Sequence, residues 1–198
     1  MIEQFDNFVA NPDAVRQSAL RAGFGTWSPN KGDIGADFYS GVAFWGDHAT
    51  LCRALYGRLR RQIIPSSMFF RITNPSMEHA LIHSDREYGD YTAIVYLSQG
   101  PHGTLSGTGF YRHRETGWVD CPPLQSLMQD EAFFSRFKQQ MLDAKDEDWE
   151  LHDFVQARYN RCVVFDAPKI HCRIPKNGYG EVDADSRMVW VCHYGVAS

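Results

Sequence analysis

Residues 83–110 read H-S-D-R-E-Y-G-D-Y-T-A-I-V-Y-L-S-Q-G-P-H-G-T-L-S-G-T-G-F, and their pattern decides the fold class. A His-x-Asp pair, His83 and Asp85, leads into the apolar run Tyr91–Leu97, which glycines then turn into Gly107-Thr108-Gly109-Phe110. Apolar, β-branched and aromatic runs bounded by turn residues read as strands. Residues two apart in an extended segment face the same side, so His83 and Asp85 present an imidazole and a carboxylate to one point.

Working outward, the same signals place strands at 68–73, 79–83, 91–98, 107–114, 149–156, 161–166 and 187–194. The series is broken once. Pro122-Pro123, then Asp130 and the helically spaced Phe133, Phe134, Phe137 and Met141, place a helical insertion at about 123–145. Two helices precede the strands. Asn11-Pro12-Asp13 opens the first, with Val15, Ala19 and Leu20 as its apolar stripe and Gly23 and Gly25 as its end. Leu51, Leu55 and Leu59 after Asp47 form the buried face of the second, and Pro65 is its stop. Residues 26–46 read as a loop whose Phe38, Tyr39, Phe44 and Trp45 fold against the core. No repeat or linker divides the chain, so 1–198 is expected to be one domain. Its segment 1–65 would pack on a core at 66–198. Helices followed by many short strands predict a mainly β fold with packing helices, an antiparallel sandwich or jelly roll.

The totals narrow the function classes. A chain of 198 residues, 43% hydrophobic and 22% charged, has the size and composition to bury a core unaided. Its net charge of −4 argues against a protein held on nucleic acid by phosphate contacts, and Arg58, Arg60 and Arg61 read as a solvated helix face. Five cysteines, an odd number without a C-x-x-C pair, predict reduced thiols rather than a disulfide framework or a zinc site. No apolar run has the length of a membrane span, and M-I-E-Q-F-D lacks the features of a signal peptide. A soluble, cytoplasmic protein without nucleic-acid or membrane partners is expected.

A His-x-Asp pair alone says little, because chance supplies roughly one in a chain of this composition. His113-Arg114-Glu115 has similar spacing, but it leads into the turn Thr116-Gly117, where charged side chains meet water. His83 and Asp85 instead stand at the mouth of a strand. His171, after the strand Cys162–Phe165 and the turn Asp166-Ala167-Pro168, is the third candidate; its alternative is a core histidine with one hydrogen bond. Two histidines and a carboxylate with open positions are the ligand set of non-haem Fe(II) oxygenases, whereas structural zinc favours thiolates. Arg187, at the start of R-M-V-W-V-C-H-Y, offers a planar fork for a carboxylate, or else a surface ion pair with Asp183 or Asp185. Arg173 competes for that role. Tyr96 either adds a hydroxyl to the same carboxylate or is a core aromatic. Tyr88, Tyr91, Tyr111, Trp118 and Tyr179 are candidate pocket residues, and the loops 26–46, 99–106 and 174–186 are candidate specificity elements.

The ordered set H-x-D, I-V-Y-L-S, G-T-G-F, V-V-F-D-x-x-x-x-H and S-R-M-V-W-V resembles the Fe(II)/2-oxoglutarate-dependent oxygenases, in particular their prolyl-hydroxylase-like branch. D-N-F-V-A-N-P-D-A-V-R and Y-N-R-C-V-V-F-D are similar to uncharacterised bacterial and phage proteins of that superfamily. The resemblance implies a double-stranded β-helix core. It implies His83, Asp85 and His171 as Fe(II) ligands, with Arg187 and Tyr96 holding the distal carboxylate of 2-oxoglutarate. The implied reaction uses O2, releases succinate and CO2, and oxidises a small molecule or a peptide side chain. A carboxylate at Asp85, rather than a small residue, points to hydroxylation and away from halogenation. Arg187 lies farther beyond His171 than the family's arginine does, so the stretch 174–186 reads as an insertion that acts as a lid or substrate element. A metal- and small-acid-binding jelly roll without oxidative chemistry, such as a cupin-like sensor, is the second reading, and a purely structural module the third.

Overall fold

Near-continuous apolar runs such as residues 91–96, 162–166 and 187–194 form buried strands, and with the strands of the first half of the chain they assemble into two antiparallel sheets. The computed structural model describes residues 1–28, 39–98 and 105–197. In chain order its elements are β1 (Ile2–Phe5), α1 (Pro12–Ala22), β2 (Gly25–Trp27), β3 (Tyr39–Ala43), α2 (His48–Leu59), β4 (Ile63–Thr73), β5 (Tyr91–Tyr96), β6 (Gly107–His113), α3 (Leu124–Leu127), α4 (Glu131–Asp143), β7 (Trp149–Gln156), β8 (Cys162–Asp166), β9 (His171–Ile174) and β10 (Arg187–Val196). Seven strands form one sheet in the order β1-β8-β5-β10-β4-β3-β2, and β7-β6-β9 form the other. An isolated bridge between His83 and His171 adds one more rung beside β9.

Strand β10 shows how alternation builds the layers. Met188, Trp190, Cys192 and Tyr194 join the cluster that holds Val15 and Ala19 of α1 and Leu51 and Leu55 of α2. Val189 and Val191 turn the other way, onto Ile94 of β5 and toward Phe110 and Val155 of the smaller sheet. Burying each large apolar side chain contributes about 1.5–3 kcal/mol, so one strand ties three layers together. A third cluster packs Phe137 and Met141 of α4 on Trp149 and Tyr111 of the smaller sheet. Side chains cap three helices: Asn11, Asp47 and Asp130 accept from the backbone N–H groups of Ala14, Thr50 and Phe133.

Several expectations need correction. Pro65 does not stop α2, which ends at Leu59 with Arg60 left-handed (φ 53°), and Pro65 instead lies inside β4. It is tolerated because β3 pairs with β4 only at Phe70 and Arg71, and the register against β10 shifts beside it, between His193 and Tyr194. Residues 79–83 contribute a single bridge rather than a strand. The short strands β1, β2, β3 and β9 have too few residues to give a period of their own. Phe38 and most of the expected loop 99–106 fall outside the described residues. Among those described, no helix is long and apolar enough to cross a membrane.

Candidate metal centre and its cavity

The backbone brings the first two candidates together. His83 N–H donates to His171 O (3.0 Å) and His171 N–H to His83 O (2.8 Å), which sets the imidazole centroids 4.4 Å apart. Asp85 N–H donates to Ala167 O (2.9 Å), pinning the carboxylate to the turn that precedes His171. The ligand atoms of His83, Asp85 and His171 all lie within 4.8 Å of one another. His83 Nε2 stands 3.6 Å from Asp85 Oδ1 and His171 Nε2 3.4 Å from Oδ2, too far for good hydrogen bonds.

The tautomers follow from the partners. Both Nδ1 atoms face carbonyls, Leu81 O at 3.2 Å and Lys169 O at 2.9 Å, so each Nδ1 carries a proton and Nε2 is the nitrogen turned to Asp85. Burial, helped by neighbouring His171, pushes the His83 pKa down to about 3, so the ring is neutral near pH 7. Burial works to raise that of Asp85, but His171, His193 and His83 overrule it and hold the carboxyl well below the usual range. Thr92 Oγ1 donates to Asp85 Oδ2 at 2.8 Å. Two imidazole lone pairs and an ionised carboxylate, with no thiolate in the group, fit a divalent first-row metal such as Fe(II).

One residue of this cluster escaped the sequence reading. His193 is buried, its Nε2 is 3.5 Å from Asp85 Oδ2, its Nδ1 meets Ser67 Oγ at 2.6 Å, and Tyr88 stacks on it. The signal was present: alternation from Arg187 puts Val189, Val191 and His193 on one face of β10, and all four line a single cavity. Strand β4 lines the same cavity with Ser67, Phe69, Arg71 and Thr73.

Arg187 is 4% exposed and its Nε is buried without a hydrogen-bond partner. The alternative ion pair does not form, because Asp185 accepts the backbone N–H groups of Glu181 and Val182 instead. Arg173 also lines the cavity, but its Nε and Nη2 are committed to Lys176 O and Glu78 O. Burial, with Arg71 and Arg187 close by, lowers its pKa to about 9. Tyr96 is not a lining residue. Its hydroxyl meets Thr108 Oγ1 at 2.7 Å, Thr108 does line the cavity, and burial pushes the phenol up to about 12.

Of the five aromatics named from the sequence as candidate pocket residues, only Tyr88 lines this cavity. Tyr91 stacks on Tyr194, Tyr111 and Trp118 pack with α4, and the Tyr179 hydroxyl meets Ser98 Oγ. The wall is instead Trp27, Tyr39, Phe44 and Phe69. His113 is not a solvated turn residue: it is fully buried, satisfied by Thr116 and Gln140 and packed on Phe137 and Trp149.

Comparison with known proteins places the fold. Residues 2–186 match a family described as a family of unknown function, DUF6445. No curated protein matches the chain. Similar solved structures include AviO1 from Streptomyces viridochromogenes Tue57, with TM-score 0.56, 13% identity and coverage of 98% of this chain and 88% of that one. HygX from Streptomyces hygroscopicus, with nickel and 2-oxoglutarate bound, has TM-score 0.55, 13% identity and coverage of 98% and 82%. The viral collagen prolyl hydroxylase of Paramecium Bursaria Chlorella virus-1, in its 2OG complex, has TM-score 0.50, 11% identity and coverage of 100% and 96%. At these identities the likeness establishes a shared fold.

Proposed function

The chain belongs to the DUF6445 family of unknown function, and for it we propose Fe(II)- and 2-oxoglutarate-dependent oxidation of a small organic substrate. The two sheets, extended by the His83–His171 bridge, are read as a double-stranded β-helix in which residues 1–65 and the 123–145 helices pack outside one domain. His83, Asp85 and His171 are assigned as the metal ligands, and Arg187 as the partner of the distal carboxylate of 2-oxoglutarate. Tyr96 is assigned a supporting role through Thr108, which it orients by their shared hydrogen bond.

One observation carries the reading. The ligand set of two imidazoles and an ionised carboxylate shares its cavity with a buried guanidinium whose Nε has no partner. A buried donor without an acceptor costs about 1–3 kcal/mol, more when charged, and a ligand carboxylate would relieve it. A bidentate guanidinium would then fix the angle at which 2-oxoglutarate approaches the triad. Fe(II), when bound, supplies O2 activation coupled to oxidative decarboxylation of 2-oxoglutarate. The protein's share is placement: carbonyls hold the ring orientations, Thr92 holds Asp85 by its hydrogen bond with His193 beside it, and Val189, Val191 and Ile94 line the cavity with apolar surface.

Hydroxylation is proposed as the reaction type because Asp85 fills the carboxylate position. Anaerobic titration with Fe(II) and then 2-oxoglutarate tests the site. A visible charge-transfer band should appear in the wild type and be absent from His171→Ala. Oxygen should then yield succinate together with a product 16 mass units heavier than its substrate, an increment on the order of one oxygen atom. Fe(II) binding without a band would remove Arg187 from the cosubstrate site. A band without oxygen-dependent succinate would leave a metal- and acid-binding protein. No metal binding would make the triad structural.

A further inference from the structure

Three guanidiniums face this cavity, and the proposed reaction uses one of them. Among the described lining residues Arg71, Arg173 and Arg187 are cationic and Asp85 is anionic, with Glu78 bonded to Arg71. Three positive charges thus meet two negative ones. Fe(II) and dianionic 2-oxoglutarate cancel each other, so a loaded site keeps the same excess of one. Glu78 serves both remaining arginines, its carboxylate bonded to Arg71 and its carbonyl accepting from Arg173 Nη2 at 2.7 Å. Arg71 Nε is nevertheless buried without a partner. One carboxylate cannot neutralise two guanidiniums, and a guanidinium whose Nε is buried without a partner is costly unless a ligand meets it.

The charge adjoins an apolar wall. The Arg71 guanidinium lies over the Tyr39 ring, 4.8 Å from its centroid. Trp27 stacks on Tyr39 at 5.8 Å and meets Phe44 edge-on at 6.0 Å, and Phe44 continues to Phe69 at 6.2 Å. Phe69 shares a strand face with Arg71 and reaches His193 at 6.0 Å, beside Asp85. The surface therefore runs from a cation, along aromatic faces, to the triad.

We infer that Arg71, supported by Arg173, anchors a carboxylate of the primary substrate while an attached ring packs on the Trp27–Tyr39–Phe44–Phe69 wall beside the triad. The substrates are small aryl or alicyclic carboxylic acids. A monoanion is favoured over a phosphate dianion because the excess is a single charge. This deepens the oxygenase reading and rests on it for the identity of the triad.

The test is calorimetric titration of the anaerobic Fe(II) protein, with and without saturating 2-oxoglutarate. The probes are 3-phenylpropionate and cyclohexanecarboxylate, each against its uncharged amide. Each acid should bind at least about tenfold more tightly than its amide and survive excess 2-oxoglutarate. Arg71→Gln should weaken the acids by about 10- to 150-fold, the worth of a hydrogen bond to a charged group, and change 2-oxoglutarate affinity less than about threefold. Trp27→Leu, a half-buried position that should fold in any case, should weaken acid and amide alike. Acids no tighter than amides, displacement of the acids by 2-oxoglutarate, or an Arg71→Gln effect confined to 2-oxoglutarate would each overturn the inference. Failure of the wild type to bind 2-oxoglutarate sinks the oxygenase reading separately, because the acid-over-amide preference is measured without it as well.

Discussion

Replacing Arg187 by Met should move stability and cosubstrate affinity in opposite directions. The residue is 4% exposed, its Nε has no acceptor, and among the described residues no carboxylate pairs with it. Burial accordingly lowers its pKa, the signature of a cation held where it is poorly solvated. Exchanging buried ionic groups for apolar side chains of similar length is often neutral or stabilises by about 1–4 kcal/mol. Even 1 kcal/mol at the low end is a rise of about 2–4 °C in Tm for a chain of this length. On the proposed assignment the same substitution also removes a charge-assisted contact to 2-oxoglutarate of about 1.5–3 kcal/mol, a loss of about 10- to 150-fold in affinity. Differential scanning calorimetry of the metal-free protein measures the first effect, and the charge-transfer titration the second. A variant that melts several degrees lower yet binds 2-oxoglutarate normally would refute the argument, since Arg187 would then be a structural cation with a partner in the fold.

Other perturbations probe the neighbouring links. Because burial holds His83 neutral down to about pH 3, the unfolded chain binds its proton first as pH falls below about 6.5. Its contribution to stability is therefore intact above that value and fades between about 6.5 and 3; urea melts of wild type and His83→Gln should show a shallower acid slope in the variant, and parallel slopes would count against a buried neutral imidazole. Thr92→Val keeps the shape but removes the donor to Asp85 Oδ2, so Fe(II) affinity by equilibrium dialysis should drop by about 10-fold with the Tm little changed. An unaltered affinity would mean the carboxylate needs no such support. Gly178 has φ +69°, and a Cβ there would stand 2.4 Å from Thr73 O, so Gly178→Ala should cost about 1–3 kcal/mol in denaturant melts. It should also weaken 2-oxoglutarate binding, because Thr73 is the register partner of Arg187.

What the sequence disclosed follows from which interactions are local. Strands β5, β6, β8 and β10 were legible because each alternates or runs apolar over enough residues to fix its own period, and helix α4 because Phe137 and Met141 recur at its own spacing. The pairing of His83 with His171 was only inferable, since the two backbone hydrogen bonds that create it join residues far apart in the chain. Strand β9 is four residues long and had no signal until β6 supplied its partner. Arg71 and His193 were missed for a different reason. Both stand in strands already recognised, on faces that alternation alone assigns, but each looked ordinary because its neighbours on the other face are core residues such as Phe70, Trp190 and Cys192. A polar residue in phase with a candidate site residue is thus the informative event: Arg187, Val189, Val191 and His193 are one row, and naming the first commits the last. The aromatic wall had no such phase to betray it, because Trp27, Tyr39 and Phe44 come from a segment whose short strands are ordered by pairing, β2 with β3 and β3 with β4, rather than by their own pattern. The gathering of His83, Asp85, His171 and Arg187 about one cavity was therefore readable from rigid strands, while Trp27, Tyr39 and Phe44, inside the stretch 26–46 read as a candidate specificity element, joined its wall only through pairing at the sheet's far edge.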